Sequence, residues 1–273
     1  MPTTFTHDRF GKDVYGKLPE DIQDVIRANK KLYLIGLHGP DIFLYFFPFW
    51  ENTTFRLGMD LHQEDADKFF QRGIELYKEK PSQPLLAYLL GFACHFMLDS
   101  TCHPFIYEYQ HEHKLTHSEI ESAIDKYQML ACGKDPFHYH PAAAICPRFP
   151  NLKEILVLFP QITMPKLTFA LKSMKFFTNI CIVDNILKRK MIYRIMKVAG
   201  VFDEMSGRII QDEDKEACLG AVDKVNRKLY PRALEETPSI LENLYFSMTG
   251  NQSLSSRFKR NYNDSIINTQ EDS

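Results

Sequence analysis

The chain has 273 residues, 44% of them hydrophobic, and a formal net charge of −2. That length fits one domain with a sizeable core, and the near-zero charge excludes a whole-molecule field that would attract nucleic acid or anionic lipid. No basic start followed by an apolar stretch marks a signal peptide, and no apolar run reaches the ~20 residues of a membrane span. The six cysteines lack a CxxC spacing, so we expect free thiols and a cytoplasmic location.

Helix signals follow one another along the chain, whereas strand signals are sparse. Pro19 and the two acidic residues after it predict a helix start, because proline suits the first turn and carboxylates favour the positive end of the helix dipole. Thr116 and Glu119 have the spacing of a capping box, which predicts another helix start. Beyond the helix that begins near Pro19, the predicted helices cover residues 64–80, 84–110, 116–131, 151–159, 166–181, 184–199, 212–227 and 232–247.

Two stretches are predicted to lack helix. Residues 136–150 contain four prolines and predict a loop, and from Thr249 onward Ser, Asn and Gln are frequent. We therefore predict an all-α fold with a single multi-helix domain over residues 1–248 and a polar, disordered tail over residues 249–273.

The histidines are confined to one half of the chain. All ten lie within the first 140 residues, and three of the side chains there, His95, Asp99 and His103, are spaced four residues apart. A four-residue step returns to nearly the same face of an α-helix, so these groups point to one spot. His117 and Glu121 repeat the step on the next predicted helix. Imidazoles and carboxylates are zinc ligands, and these are too many for one tetrahedral site, so we predict more than one ion.

Asp99 is the natural bridge between two ions, because it lies between two histidines and a carboxylate can bind two metals. Its sequence neighbours Phe96, Met97 and Leu98 are apolar, and burying a carboxylate among them without a cation is costly. The alternative is a metal-free helical domain in which the histidines are hydrogen-bonded core residues.

Shorter motifs extend this pattern toward the start of the chain. The sequence contains, in this order, Thr6-His7, Gly39-Pro40-Asp41-Ile42, Leu61-His62, His95-x-x-x-Asp99 and His117-x-x-x-Glu121. Over residues 5–130 this order resembles the zinc-dependent phospholipase C family. That family includes bacterial phosphatidylcholine-hydrolysing enzymes and the catalytic domain of clostridial α-toxin, and fungal zinc nucleases share its helical fold.

The resemblance implies three zinc ions in a cleft between helices. It assigns one ion to Asp41, His62, His95 and Asp99, a second to His103, His117 and Glu121, and a third to His7, Asp99 and the N-terminal amine. It further implies a water between two ions as the nucleophile, with Asp41 as a ligand or as the general base for that water.

The chain departs from the family pattern at two ligand positions. It begins Met1-Pro2, where the secreted enzymes mature to an N-terminal Trp whose amine binds zinc. His103 follows Asp99 by four residues, where the phosphatidylcholine enzymes place the histidine six residues on. Because the third site depends on the amine, we expect two or three zinc ions.

The predicted function is that of a zinc-dependent hydrolase that cleaves a phosphoester, as a phospholipase C-like phosphodiesterase. One alternative is a nuclease-type phosphodiesterase of the same fold. Another is a non-enzymatic, zinc-stabilised helical protein that binds a membrane or a partner. The expected partner is a phosphoester substrate such as a phospholipid. No GxxxxGK[ST], GxGxxG or GxSxG context occurs, and no specific nucleic acid is indicated.

Three further features allow two interpretations each. Residues 166–197 interleave basic and apolar side chains, which fits either peripheral contact with an anionic membrane or a solvated basic face. The aromatic residues of the run 43–50 either pack in the core or form a substrate pocket or a surface that contacts lipid. The HxH pairs at His111/His113 and His138/His140 fit surface histidines better than metal ligands.

Overall fold

The computed structural model describes residues 4–263, and over this range the protein is all-α. No described residue lies in a strand, which confirms the predicted fold class. The α-helices are α1 (Thr4–Tyr15), α2 (Glu20–Ala28), α3 (Lys30–Gly36), α4 (Asp41–Leu44), α5 (Thr53–Gln63), α6 (Ala66–Glu79), α7 (Gln83–His113), α8 (His117–Ala131), α9 (Met164–Ile180), α10 (Ile186–Val198), α11 (Phe202–Met205), α12 (Glu216–Lys224) and α13 (Tyr230–Thr249). Shorter 3₁₀ segments lie at Pro141–Ala144, Pro150–Leu158, Ser206–Arg208 and Ser256–Phe258, and a π-helical turn covers Val225–Leu229.

The central element is α7, which has 31 residues and is buried at every position from Leu85 to Ser100. By length and composition alone this helix could cross a membrane, but 94% of its most apolar window is buried inside the protein. It is enclosed by α3, α13 and α1, among other helices. A helix that is apolar all round is typical of such an enclosed core position.

The backbones of α3 and α7 are in direct contact where they cross. A Cβ atom on Gly36 would lie 2.3 Å from the carbonyl oxygen of Tyr88, and one on Gly91 would lie 2.2 Å from that of Tyr33. Only glycine permits such an approach. The contact brings the turn that follows α3 directly against the His95 segment of α7.

The start of α8 agrees with its sequence signature. The Thr116 hydroxyl accepts a hydrogen bond from the backbone N–H of Glu119 at 3.2 Å, and the Glu119 carboxylate accepts one from the backbone N–H of Thr116 at 2.8 Å. The predicted capping box is therefore confirmed. The helix predicted over 151–159 is a 3₁₀ helix, Pro150–Leu158, and the predicted loop before it contains one 3₁₀ turn.

The predicted disorder from Thr249 onward was wrong for the residues through Asn263. Phe258 packs on Phe70 with ring centroids 4.4 Å apart, and its side chain is fully buried. The backbone is also fixed, since the N–H of Ala66 donates to the carbonyl of Arg260 at 3.0 Å. The segment is polar on average, but its two aromatic side chains, Phe258 and Tyr262, are buried in the core. Residues 264–273, the rest of the predicted tail, lie outside the described residues.

This packing predicts a measurable stability contribution. We expect Phe258→Ala to lower the free energy of unfolding by about 3–5 kcal/mol, the range found when a buried phenylalanine leaves a cavity. The matched control is Lys259→Ala, because Lys259 is exposed in the same segment and its loss should change stability by less than about 0.5 kcal/mol. Urea unfolding of both variants measures the difference, and equal midpoints would show that this segment does not pack on the core.

Candidate metal centre

The eight residues predicted as metal ligands converge from α1, α4, α5, α7 and α8. They form three groups, and within each group one nitrogen or oxygen atom per residue lies within 4.8 Å of the others. We name these the Asp41 group, the Asp99 group and the Glu121 group. Their members are, respectively, Asp41, His62 and His95; His7, His95 and Asp99; and His103, His117 and Glu121.

Asp99 lies between the other predicted ligands, and each of its two carboxylate oxygens is close to at least one histidine. Its Oδ1 lies 3.1 Å from Nε2 of His7 and 3.7 Å from Nε2 of His103. Its Oδ2 lies 3.1 Å from Nε2 of His95, one turn earlier on α7. Because its two oxygens face different histidines, one buried carboxylate links the Asp99 group to the Glu121 group.

His7 reaches the centre because α8 anchors the start of α1. The carboxylate of Asp125 accepts hydrogen bonds from the backbone N–H groups of Phe5 at 3.1 Å and Thr6 at 2.8 Å, and also from the Thr6 hydroxyl. These bonds satisfy N–H groups that a helix start leaves without partners. One residue on, the His7 imidazole stacks on that of His95 with centroids 4.2 Å apart.

A tight turn places Asp41 beside the same histidine. Gly39 has a φ of +46°, the left-handed conformation that glycine adopts without strain. A Cβ atom on Gly39 would lie 2.4 Å from Cδ2 of His95, so the turn backbone is pressed against that imidazole. Asp41 then starts α4, and its Oδ1 lies 3.1 Å from Nε2 of His62 on α5.

The Glu121 group joins α7 to α8. Nε2 of His117 lies 2.9 Å from Oε1 of Glu121, one turn later on α8, and Nε2 of His103 lies 3.7 Å from the same oxygen. Glu121 is 5% exposed, so this carboxylate is buried between two imidazoles. Burial would raise the pKa of Glu121, but the imidazoles, led by that of His117, hold its pKa far below the usual range.

Three of the imidazoles have their second nitrogen fixed by an oxygen outside the centre. Nδ1 of His62 lies 2.7 Å from the carbonyl of Gly58, and Nδ1 of His95 lies 3.2 Å from the carbonyl of Leu37. Nδ1 of His117 lies 3.2 Å from the side-chain oxygen Oε1 of Gln110. Since these oxygens only accept, each Nδ1 donates to its partner and each Nε2 is directed at the centre, the arrangement found in metal-bound histidines.

The residues of the centre fit a bound cation, because several of their buried nitrogen and oxygen atoms lack a hydrogen-bond partner. Asp41 Oδ1, Asp99 Oδ2, His95 Nε2 and His103 Nε2 make no hydrogen bond to any described residue. Burial would raise the pKa of Asp99, but the imidazoles around it, chiefly that of His103, hold its pKa well below the usual range. Buried carboxylate oxygens together with imidazole nitrogens match the ligand set of zinc.

The remaining histidines lie outside these three groups. His38 is buried beside the centre, and burial, with His7 and His95 nearby, lowers its pKa to about 3, so it is uncharged. His138 pairs with Asp135 on the surface at 2.8 Å. Neither HxH pair contributes to a metal-compatible group among residues 4–263.

One neighbour of the centre was missed by the sequence analysis because it lies in the segment predicted to be disordered. Tyr262 is 2% exposed, and its ring centroid lies 5.0 Å from that of His62 and 5.8 Å from that of His95. Its backbone N–H donates to the carbonyl of His62 at 3.3 Å. The only local signal was the spacing of Phe258 and Tyr262 at one helical turn within polar surroundings. The N-terminal amine, implied as a ligand of a third ion, lies outside the described residues.

The fold and the centre define an all-α protein with a buried imidazole–carboxylate cluster suited to several metal ions. A family model described as zinc-dependent phospholipase C matches residues 6–161, which is more than half of the chain. The chain therefore belongs to the zinc-dependent phospholipase C family, and all eight predicted ligands lie within the matched segment. No curated protein and no solved structure matches the chain.

The central position of Asp99 predicts that one substitution affects two metal sites. We expect Asp99→Ala to lower the metal content by more than one ion per chain, because its two oxygens face different histidines, His7 and His103 on one side and His95 on the other. Elemental analysis by mass spectrometry of protein purified without chelator measures the content. The matched control is Asp60→Ala, an exposed carboxylate on α5, which should leave it unchanged. Loss of one ion or fewer from Asp99→Ala would reject the bridging role.

The contact of Gly39 with His95 predicts a second effect on metal binding. We expect Gly39→Ala to weaken zinc affinity by about 10–100-fold, as removal of a group that orients a ligand does, because the added methyl displaces the imidazole. Gly133→Ala is the matched control, since Gly133 also has a positive φ, +64°, but nothing lies within 4 Å of its added Cβ atom. Zinc affinity is measured by competition with a chromophoric chelator. An equal loss in both variants would assign the effect to backbone strain.

Proposed function

We propose that the chain is a zinc-dependent phosphodiesterase of the phospholipase C type that cleaves the phosphoester bond of a phospholipid. The observation that carries the proposal is the convergence of three imidazole–carboxylate groups, linked through Asp99, inside the segment that the family matches. Two or three zinc ions fit these groups. The proposed ligands are Asp41, His62, His95 and Asp99 for one ion, His103, His117 and Glu121 for a second, and His7 with Asp99 for a third.

When bound close together, zinc ions activate a water molecule and stabilise the attacking and leaving oxygens of a phosphoester. The protein's contribution is to position the ligands and to accept a proton. The Nδ1 hydrogen bonds of His62 and His95 fix the orientation of both rings. Asp41 is the proposed catalytic residue, since its buried carboxylate beside His62 is placed to accept the proton of the attacking water.

The cleft beside Glu121 supports a lipid as the substrate. Its walls include Tyr45, Phe177 and Ile182, and the guanidinium of Arg208 lies in it, 5.9 Å from the centre of the Tyr45 ring. Half of the lining side chains are apolar and Arg208 is the one cation among them. Such a lining suits a phosphodiester whose leaving group is apolar, whereas a polynucleotide needs a basic track along its backbone. Since such a substrate resides in a bilayer, peripheral membrane contact through the basic helices at residues 166–197 is part of the proposal.

The test is phosphodiester hydrolysis by the zinc-loaded full chain, with and without a zinc chelator. We expect release of phosphorylated headgroup from phosphatidylcholine, abolished by the chelator. We expect Asp41→Asn to lower the rate by about 10²–10⁴-fold, the range for loss of a general base. Asp60→Asn on the exposed face of α5 is the matched control and should keep the full rate.

Each other outcome favours a different function. Chelator-sensitive cleavage of single-stranded nucleic acid without cleavage of lipid would favour the nuclease-type alternative. Zinc that raises the melting temperature while no phosphodiester is cleaved would favour the non-enzymatic alternative.

A further inference from the structure

The helix α10 carries two apolar faces, and only one of them is covered. Ile192 and Met196 are buried against the rest of the protein. Leu187, Met191 and Ile195 recur every four residues on a second face and are 76%, 57% and 58% exposed, and Val198 continues it at 86%. No described residue covers this second stripe, and large apolar side chains at such exposure mark a surface that contacts something else.

A second group of exposed aromatic rings lies on the loop after α4 and on α9. Trp50, the only tryptophan of the chain, is 67% exposed, and Phe176 on α9 is 59% exposed. The loop is held against α9 by ring contacts, since Phe47 stacks on Phe169 with centroids 4.7 Å apart. The aromatic run is thus divided, with its start in the core and its end on the surface.

A groove joins the two helices, α9 and α10, that carry these groups. A shallow groove is lined by Phe176 and Ile180 at the end of α9 and by Lys188 at the start of α10. The aromatic loop contacts α9, and this groove connects the end of α9 to the first turn of α10. We call the exposed apolar side chains of residues 47–50, α9 and α10 the lipid face.

The charge around the lipid face is strongly one-sided. Between residues 164 and 198 the only acidic residue is Asp184, while the basic residues are Lys166, Lys172, Lys175, Lys188, Arg189, Lys190, Arg194 and Lys197. Lys190, Arg194 and Lys197 are exposed on the helix that carries the stripe. Arg189 pairs with Asp212 and does not add to this surface charge.

We propose that the lipid face docks on the surface of an anionic phospholipid bilayer. An exposed apolar stripe flanked by lysine and arginine, with a tryptophan beside it, has the composition of helices that lie in the membrane interface. Cations near the bilayer surface are attracted by anionic headgroups. A second copy of the chain is a poorer occupant, because a two-fold contact through α10 would place the exposed cations of one copy against those of the other.

The lipid face also lies beside the cleft of the proposed active site. Phe177, Cys181 and Ile182 line that cleft, and they follow directly on Phe176 and Ile180 of the face along the same end of α9. Docking would therefore bring the opening of the cleft to the headgroup layer. This last step rests on the proposed function, whereas binding to a bilayer, although it is also part of that proposal, follows from the exposed apolar side chains and the charge alone.

The test is cosedimentation of the zinc-loaded full chain with vesicles of phosphatidylcholine alone or with added phosphatidylserine, with the intact lipid measured in every pellet. We expect binding to the anionic vesicles that weakens as salt rises. A triple variant, Trp50→Ala with Leu187→Ser and Ile195→Ser, should lose roughly tenfold or more of the partition coefficient, since less apolar area is buried. Lys190→Glu with Arg194→Glu should remove the preference for phosphatidylserine.

The matched control is Phe246→Ser, because Phe246 is 46% exposed on α13, outside the lipid face. All the substituted side chains are exposed, and near-ultraviolet circular dichroism checks that each variant stays folded. No binding to either vesicle, or an equal loss in Phe246→Ser, would overturn the proposal. So would a dimer in light scattering that the triple variant dissociates without any vesicle binding.

The two proposals can fail separately. Vesicle binding without hydrolysis of any phosphodiester would reject the proposed activity and keep the lipid face. Hydrolysis of a short-chain, monomeric phosphatidylcholine without vesicle binding would reject the lipid face and keep the activity.

Discussion

The structure depends on keeping one charged carboxylate inside its most apolar helix. Asp99 is 2% exposed, at the centre of a helix that is buried along most of its length. Transfer of an unpaired carboxylate into such surroundings would destabilise the fold by several kcal/mol. The imidazoles of His7, His95 and His103 surround it. A bound cation would stabilise this arrangement, so the fold and the proposed metal chemistry rest on the same side chain.

Backbone contacts, and not only side chains, bring the distant members of the centre together. The glycine crossing of α3 and α7 sets the turn that carries Asp41 against His95. Asp125 anchors the start of α1 on α8 and so delivers His7. The centre is thus assembled from helix ends and from a turn whose backbone conformation glycine adopts without strain. Placing ligands on such ordered elements suits a site that must hold its geometry.

How much of the fold and of the metal centre the sequence predicts depends on how far apart in the chain the interacting residues lie. The four-residue steps around Asp99 and Glu121, and the capping box at Thr116, depend only on helix periodicity and could be derived from local pattern. Asp41 and His62 have no such pattern, and only the resemblance to the family indicated them. Tyr262 could not be found, because a polar segment becomes ordered only through aromatic contacts with helices far away in the chain.

The near-neutral total charge conceals a division between two regions. The acidic stretch over residues 203–216 is partly engaged in ion pairs that hold the fold, since Asp212 pairs with Arg189 and Asp214 with Lys126. The exposed cations of α9 and α10 have no comparable acidic neighbours in their own segment, where Asp184 is the single acid. A net charge of −2 therefore says little about local attraction. The matched half of the chain holds the metal-binding groups, while α9 and α10, which lie beyond it, contribute most of the basic, apolar surface that we propose brings them to a membrane.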